Sequence, residues 1–129
     1  MNPEQRRAIE WECARLIAHY ANLNDAGRWE DVAALFAEDG VMTRPSAPDS
    51  PIRGRQTILD ALRARPPRVT RHICSNIVIH VDAADEARGE SAMLLFTEGT
   101  SPLVGSFDDQ FVLTDQGWRF AARHGRLSW

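Results

Sequence analysis

Lysine is absent from this chain, so its 15 basic residues are all arginines, and they face 18 acidic ones. The resulting net charge of −3 argues against broad phosphate binding, because affinity for nucleic acid comes largely from clustered cations that neutralise the backbone. Arg63, Arg65, Arg68 and Arg71 form one local basic stretch, which reads as a solvated helix end and loop. Cysteine is nearly absent too. Cys13 and Cys74 are too few for a disulfide framework and lack the paired spacing of a zinc site, so both read as buried thiols. No apolar run approaches the roughly 18 residues that cross a bilayer. Arg6, Arg7, Glu10, Glu12 and Arg15 interrupt the N-terminal apolar residues, which removes the uninterrupted core of a signal peptide. A soluble, cytoplasmic protein without a membrane partner is expected. Glycines 99, 105, 117 and 125 are scattered rather than gathered into a phosphate loop, and no G-x-S-x-G nucleophile elbow occurs. His19, His80 and His124 lack ligand spacing with acidic partners, so no metal site is expected.

The 129 residues suit a single domain spanning 1–129, and a chain of this size buries roughly 70% of its unfolded surface without staples. Asn2, Pro3 and Gln5 carry the signals of a capped helix start. Ile9, Cys13, Leu16, Ile17, Tyr20 and Leu23 then recur at helical spacing, which predicts a helix from Pro3 to about Leu23 with that face buried. Asn24 to Gly27 break the pattern, and Trp29, Val32, Ala33, Leu35 and Phe36 resume it on a second helix over Gly27 to Glu38. Val41 to Arg44 reads as a short strand, and Pro45 to Pro51, with three prolines in seven residues, as a surface loop and candidate lid. A third helix over Gly54 to Ala64 must stop before Pro66 and Pro67. Beyond them, Val69–Val81, Ala87–Thr97, Gly105–Thr114 and Trp118–Leu127 are rich in β-branched and aromatic residues and separated by turn signals, which predicts four strands in sequential hairpins. Helices first and strands after, without crossovers, give an α+β fold: three N-terminal helices on one face of a curved, mostly antiparallel sheet, enclosing a small-molecule pocket.

Alternation along the first long strand puts His72, Cys74 and Asn76 on one face. If that face meets the helices, His72 lies near the turn that carries Asp25. An Asp–His pair is a proton-transfer device, since the carboxylate fixes the imidazole tautomer and stabilises the imidazolium. Two readings of each residue stand side by side. Asp25 precedes a helix, where Asp is a favoured cap, and a strand His is often a rim or core residue. Tyr20 on the buried helix face could reach the cavity or simply fill core, while Trp11, Trp29 and Trp118 read as core fillers.

The order of these features resembles the SnoaL-like branch of the nuclear transport factor 2-like superfamily. The resemblance runs through HYANLNDAGRWEDVAALFAEDG (19–40), the stretch Ile52–Leu62, TRHICSN (70–76) and DQGWRFAAR (115–123). It implies a cone-shaped, cystatin-like α+β barrel. In two enzymes of that superfamily, scytalone dehydratase and hexachlorocyclohexane dehydrochlorinase, an Asp after the first helix and a His on the first long strand form the catalytic dyad. Asp25 and His72 occupy both positions. Where the dehydratase adds a Tyr and a second His, this chain has Arg44 and Thr97, and Tyr20 stands where the dehydrochlorinase has a basic residue, so neither substrate carries over. The resemblance implies a cofactor-independent lyase, of dehydratase type, acting on a small apolar cyclic or aromatic hydroxylated molecule, and Tyr20, Asn76, Thr97 and Phe107 are the residues expected to bind it. A ketosteroid-isomerase-like isomerase, a non-catalytic small-molecule-binding domain and a ring-hydroxylating dioxygenase small subunit remain as alternatives. The sheet face away from the helices is expected to make a homo-oligomer, a dimer or trimer.

Overall fold

The structure, a computed structural model, describes residues 1–129. Helix α1 runs Pro3–Asp25. Its start is the capping box anticipated above, with Gln5 N–H donating to Asn2 Oδ1 at 2.8 Å and Asn2 N–H donating to Gln5 Oε1 at 3.0 Å. Cys13, Leu16, Ile17 and Tyr20 are buried along one face, as the spacing requires. Trp11 departs from expectation: it is 59% exposed, with the Arg15 guanidinium 5.1 Å from its ring centre, because it lies off the buried stripe. Trp118 does fill core, and Trp29 is half-buried against it.

The second helix is shorter than expected. Helix α2 covers only Trp29–Ala33, and the chain is already strand β1 over Phe36–Thr43. Phe120 N–H donates to the Leu35 carbonyl at 2.8 Å, and the fully buried Phe36 pairs with Phe120. Pairing with a strand more than eighty residues later thus overrides a local spacing that continued the helix. Gly40 sits in the irregularity that follows, where a Cβ would lie 2.9 Å from the Ala37 carbonyl oxygen. The cap reading of Asp25 falls for a related reason: Asp25 is the last residue of α1, and the cap of α2 is Arg28.

Strand β2 (Ile52–Arg53) and helix α3 (Arg55–Arg63) follow the proline loop. Four long strands come next: β3 Thr70–Ala83, β4 Glu86–Thr97, β5 Leu103–Thr114 and β6 Gly117–Leu127. They make one open, curved six-stranded sheet in the order β2-β1-β6-β5-β4-β3, antiparallel throughout except for β1 beside β6. Helix α1 packs along β3, while α3 packs on α2 and β1. Between these layers, Ile17, Val32, Phe36, Met42, Ile58, Leu62 and Phe120 form a continuous core that shields the inner end of the site from water. No helix is long and apolar enough to cross a membrane.

Candidate active site

A cavity of about 330 Å³ opens between α1, the end of β1 and the inner faces of β3, β4 and β5. Tyr20, Met93, Leu95, Leu103, Phe107 and Leu127 form its apolar wall. The polar lining is His72, Asn24, Ser46, Arg44, Arg65 and Arg68. Pro45 and Ser46, the first residues of the proline loop, also line it.

His72 and Asp25 meet. Helix α1 ends with Asp25 above β3, and His72 Nδ1 lies 2.6 Å from Asp25 Oδ1. The carboxylate is fixed from several sides. His72 backbone N–H donates to Oδ2 at 2.9 Å, the Thr70 hydroxyl donates to Oδ1 at 3.0 Å, and Arg71 Nη1 lies 3.5 Å from Oδ2. A carboxylate held this way is only an acceptor, so in the neutral ring it is Nδ1 that carries the hydrogen and Nε2 the lone pair. The two side chains are 12% and 8% exposed. His72 lines the cavity whereas Asp25 borders only a neighbouring depression beside Gly27 and Trp29. Asp25 is therefore the residue behind the imidazole, and His72 is the one a bound molecule meets.

Of the other expected binding residues, Tyr20 and Phe107 line the cavity. Tyr20 is 6% exposed, meets Phe36, Phe107 and Phe120 edge-on, and points its hydroxyl at Met42 Sδ, 3.5 Å away. It is both core and wall. Asn76 and Thr97 do not line the cavity. The β3–β4 register shifts between Ser75 and Val78, and Asn76, at φ +53°, takes up the irregularity. This inverts the alternation, so Ile77 and Ile79 turn inward while Asn76 is exposed. Thr97 pairs with Thr70 at the far end of β4, outside the cavity.

The basic stretch also needs correction. Arg65 is half-buried, and with Arg68 it lines the cavity instead of forming a purely solvated loop. Arg65 Nη1 donates to Asn24 Oδ1 at 3.1 Å, and its guanidinium lies 5.7 Å from the Trp29 ring centre. Sequence reasoning also missed a buried ion pair under the cavity wall. Arg123 Nη1 donates to Asp109 Oδ2 at 2.9 Å, with both side chains fully buried. The guanidinium lies 3.8 Å from the Phe107 ring centre and 4.4 Å from that of Tyr20. Burial pushes the Asp109 carboxyl up to about 6 despite Arg123. The alternation of Phe107, Asp109 and Phe111 on one strand was the available signal, since it aims the acid inward. Burial, with Glu12 and Asp109 nearby, raises the Cys13 thiol to about 12, and burial also raises Cys74, so both are unreactive thiols.

Solved structures of the same shape are numerous. A proposed scytalone dehydratase from Novosphingobium aromaticivorans is 26% identical over 99% of this chain and 89% of that one, with a TM-score of 0.88. A protein of unknown function from Mycobacterium tuberculosis is also 26% identical, over 99% of this chain and 77% of its own, with a TM-score of 0.82. A nuclear transport factor 2-like protein with a cystatin-like fold, again from N. aromaticivorans, is 24% identical over 97% and 86%, at a TM-score of 0.83. A type 2 hexachlorocyclohexane dehydrochlorinase shares the fold at 18% identity, with coverage of 99% and 90% and a TM-score of 0.87. Comparison with curated proteins finds no match. The family model described as a SnoaL-like domain matches residues 5–124, and the chain belongs to that family.

Proposed function

We propose that this protein is a cofactor-independent lyase of dehydratase type, with His72 as the proton-transferring group and Asp25 as its orienting partner. The observation that carries this reading is the 2.6 Å contact between His72 Nδ1 and Asp25 Oδ1 at the wall of a largely apolar cavity. With Nδ1–H committed to Asp25, Nε2 is the free base, and the carboxylate stabilises the cation that forms when it accepts a proton. The apolar wall suits a small ring, and strengthens charge interactions by keeping water away.

In the reaction, Nε2 takes a proton from a carbon next to a carbonyl, and the C–H electron pair passes into the conjugated system. That pair then forms the new double bond as the hydroxyl on the neighbouring carbon leaves. The imidazolium returns its proton to the departing oxygen, so water is released and His72 is regenerated. The likeness to a proposed scytalone dehydratase and to a dehydrochlorinase supports elimination over double-bond migration, which would need the same base without a leaving group.

The test is to incubate the protein with a panel of β-hydroxy cyclic ketones and follow enone formation by ultraviolet absorbance and loss of water by mass. Turnover should require His72. An active preparation whose rate survives His72→Ala would overturn the reading.

A further inference from the structure

Six of the chain's arginines have an acidic partner: Arg28 with Asp31, Arg63 with Glu30, Arg71 with Asp25, Arg88 with Asp82, Arg123 with Asp109 and Arg126 with Asp108. Of the nine that have none, Arg44, Arg65 and Arg68 line the same cavity, and no Asp or Glu lines it. They come from three places in the sequence: the end of β1, the end of α3 and the link into β3.

Two of the three are not freely solvated surface charges. Arg44 and Arg65 are half-buried and tied to neutral acceptors, Arg44 Nη2 donating to the Ala61 carbonyl at 2.9 Å and Arg65 Nη1 to Asn24 Oδ1 at 3.1 Å. Such bonds hold the guanidiniums in place without cancelling their charge. Arg44 Nε is buried with no protein acceptor at all. Burial is the main influence disfavouring the Arg65 cation; Tyr20 opposes it, and the like charges of Arg44 and Arg68, each smaller than the effect of Tyr20, add to it. Three like charges gathered at one cavity wall repel one another in the protein alone, and an anion placed among them offsets that repulsion with an attraction to each.

We propose that the substrate is a small ring bearing a carboxylate, the acid group seated among Arg44, Arg65 and Arg68 and the ring lying against Leu95, Leu103 and Phe107. A guanidinium fork matches the two oxygens of a carboxylate. The cavity of about 330 Å³ falls at the small end of ligand pockets, which suits a single ring with one acid better than a bulky phosphate ester. The seat would anchor the molecule at one wall and leave its carbon framework to His72. This inference rests on the cavity being the substrate site, and adds to it the class of acid that enters.

Binding of benzoate, benzamide and phenyl phosphate, measured by calorimetry and by amide shifts of cavity residues, tests the seat. Benzoate should bind about tenfold or more tightly than its neutral isostere benzamide. The preference should shrink in Arg44→Gln and Arg65→Gln, and also in Arg68→Gln, whose exposed side chain can be changed without disturbing the fold. Equal affinity for benzoate and benzamide, or a benzoate preference untouched by all three variants, would overturn the acid seat. Tighter binding of phenyl phosphate than of benzoate would overturn its assignment to a carboxylate. The His72→Ala variant separates this inference from the lyase reading, because it should still prefer benzoate while losing any turnover.

Discussion

Asp25 holds His72 twice, taking the ring Nδ1–H on Oδ1 at 2.6 Å and the same residue's backbone N–H on Oδ2 at 2.9 Å. One carboxylate thereby sets both the position of the strand and the tautomer of the imidazole it carries. The end of α1 and the start of β3 are joined at the very residue that faces the cavity.

The first expectation is that the tautomer depends on Asp25. Nitrogen NMR of the wild-type ring should show a protonated Nδ1 and an unprotonated Nε2 in the neutral form. Asp25→Asn presents an amide that can accept or donate, so the ring should become a mixture, and turnover should fall by about a thousandfold or more. His72→Ala should cost a similar factor, and the double variant little beyond the worse single one, because the pair acts as a unit. Multiplying losses, or an unchanged tautomer in Asp25→Asn, would show that the two act independently.

The strands were legible because alternation and β-branched residues persist over ten or more positions, and the four long ones begin and end within about two residues of where the pattern put them. Phe36 was misread because Leu35 and Phe36 prolong the helical spacing of Val32 and Ala33, while the force that extends them comes from β6. Asn76 was misread because counting parity works only up to the first bulge, and the register shift after Ser75 lies in the pairing with β4. The Asp25–His72 pair was accessible through resemblance, since the two are far apart in the chain. Arg44, Arg65 and Arg68 gave no local sign of convergence, because what joins them is the packing of three separate elements around one cavity.

The buried Asp109–Arg123 pair should make stability depend on pH. Burial raises the folded carboxyl to about 6, above the roughly 3.9 of an unfolded Asp. Between those values the folded state holds a proton that the unfolded state has lost, so this group's contribution is greatest at low pH and is lost as pH rises to about 6. Urea denaturation from pH 4 to 7.5 should show wild type losing stability relative to Asp109→Asn across that window and not above it. Parallel curves for the two proteins would reject the assignment. Replacing Asp109 by Leu, which leaves Arg123 buried and unpaired, should cost about 3–5 kcal/mol.

Gly125 sets the start of the proline loop. A Cβ there would lie 2.6 Å from Pro45 Cδ and Cγ and 2.8 Å from Pro45 N, so Gly125→Ala must move the loop away from β6. Because Pro45 and Ser46 line the cavity, the displacement should reach the site. Overpacking of this kind costs about 1–3 kcal/mol. Thermal melting should register that loss, and amide shifts should change at Arg44 and Ser46. A variant with wild-type stability and shifts would mean that the loop is not held by this contact.

The last expectation concerns the face of the sheet turned away from the helices. Ile73 and Leu94 are cross-strand partners, and Phe96 follows on the same face as Leu94; they are 43%, 39% and 43% exposed. Val78, at 46%, lies further along β3. Side by side on β3 and β4, these residues make a patch that a protein alone in water would leave uncovered at a cost of about 25 cal/mol per Å². The flanking charges, Glu90, Asp108, Arg88 and Arg126, are of both signs and largely paired within the chain, so they neither repel a second copy nor select a strongly charged partner. A second copy of the same face satisfies both features, and light scattering at micromolar concentration should give the mass of a dimer or trimer. Leu94→Lys with Phe96→Lys puts like charges into the middle of that contact, and should release monomers that retain the folded spectrum and the benzoate preference. A wild-type monomer would assign the patch to some other partner, whereas dissociation with loss of the fold would mean that the protomer depends on its neighbour for stability.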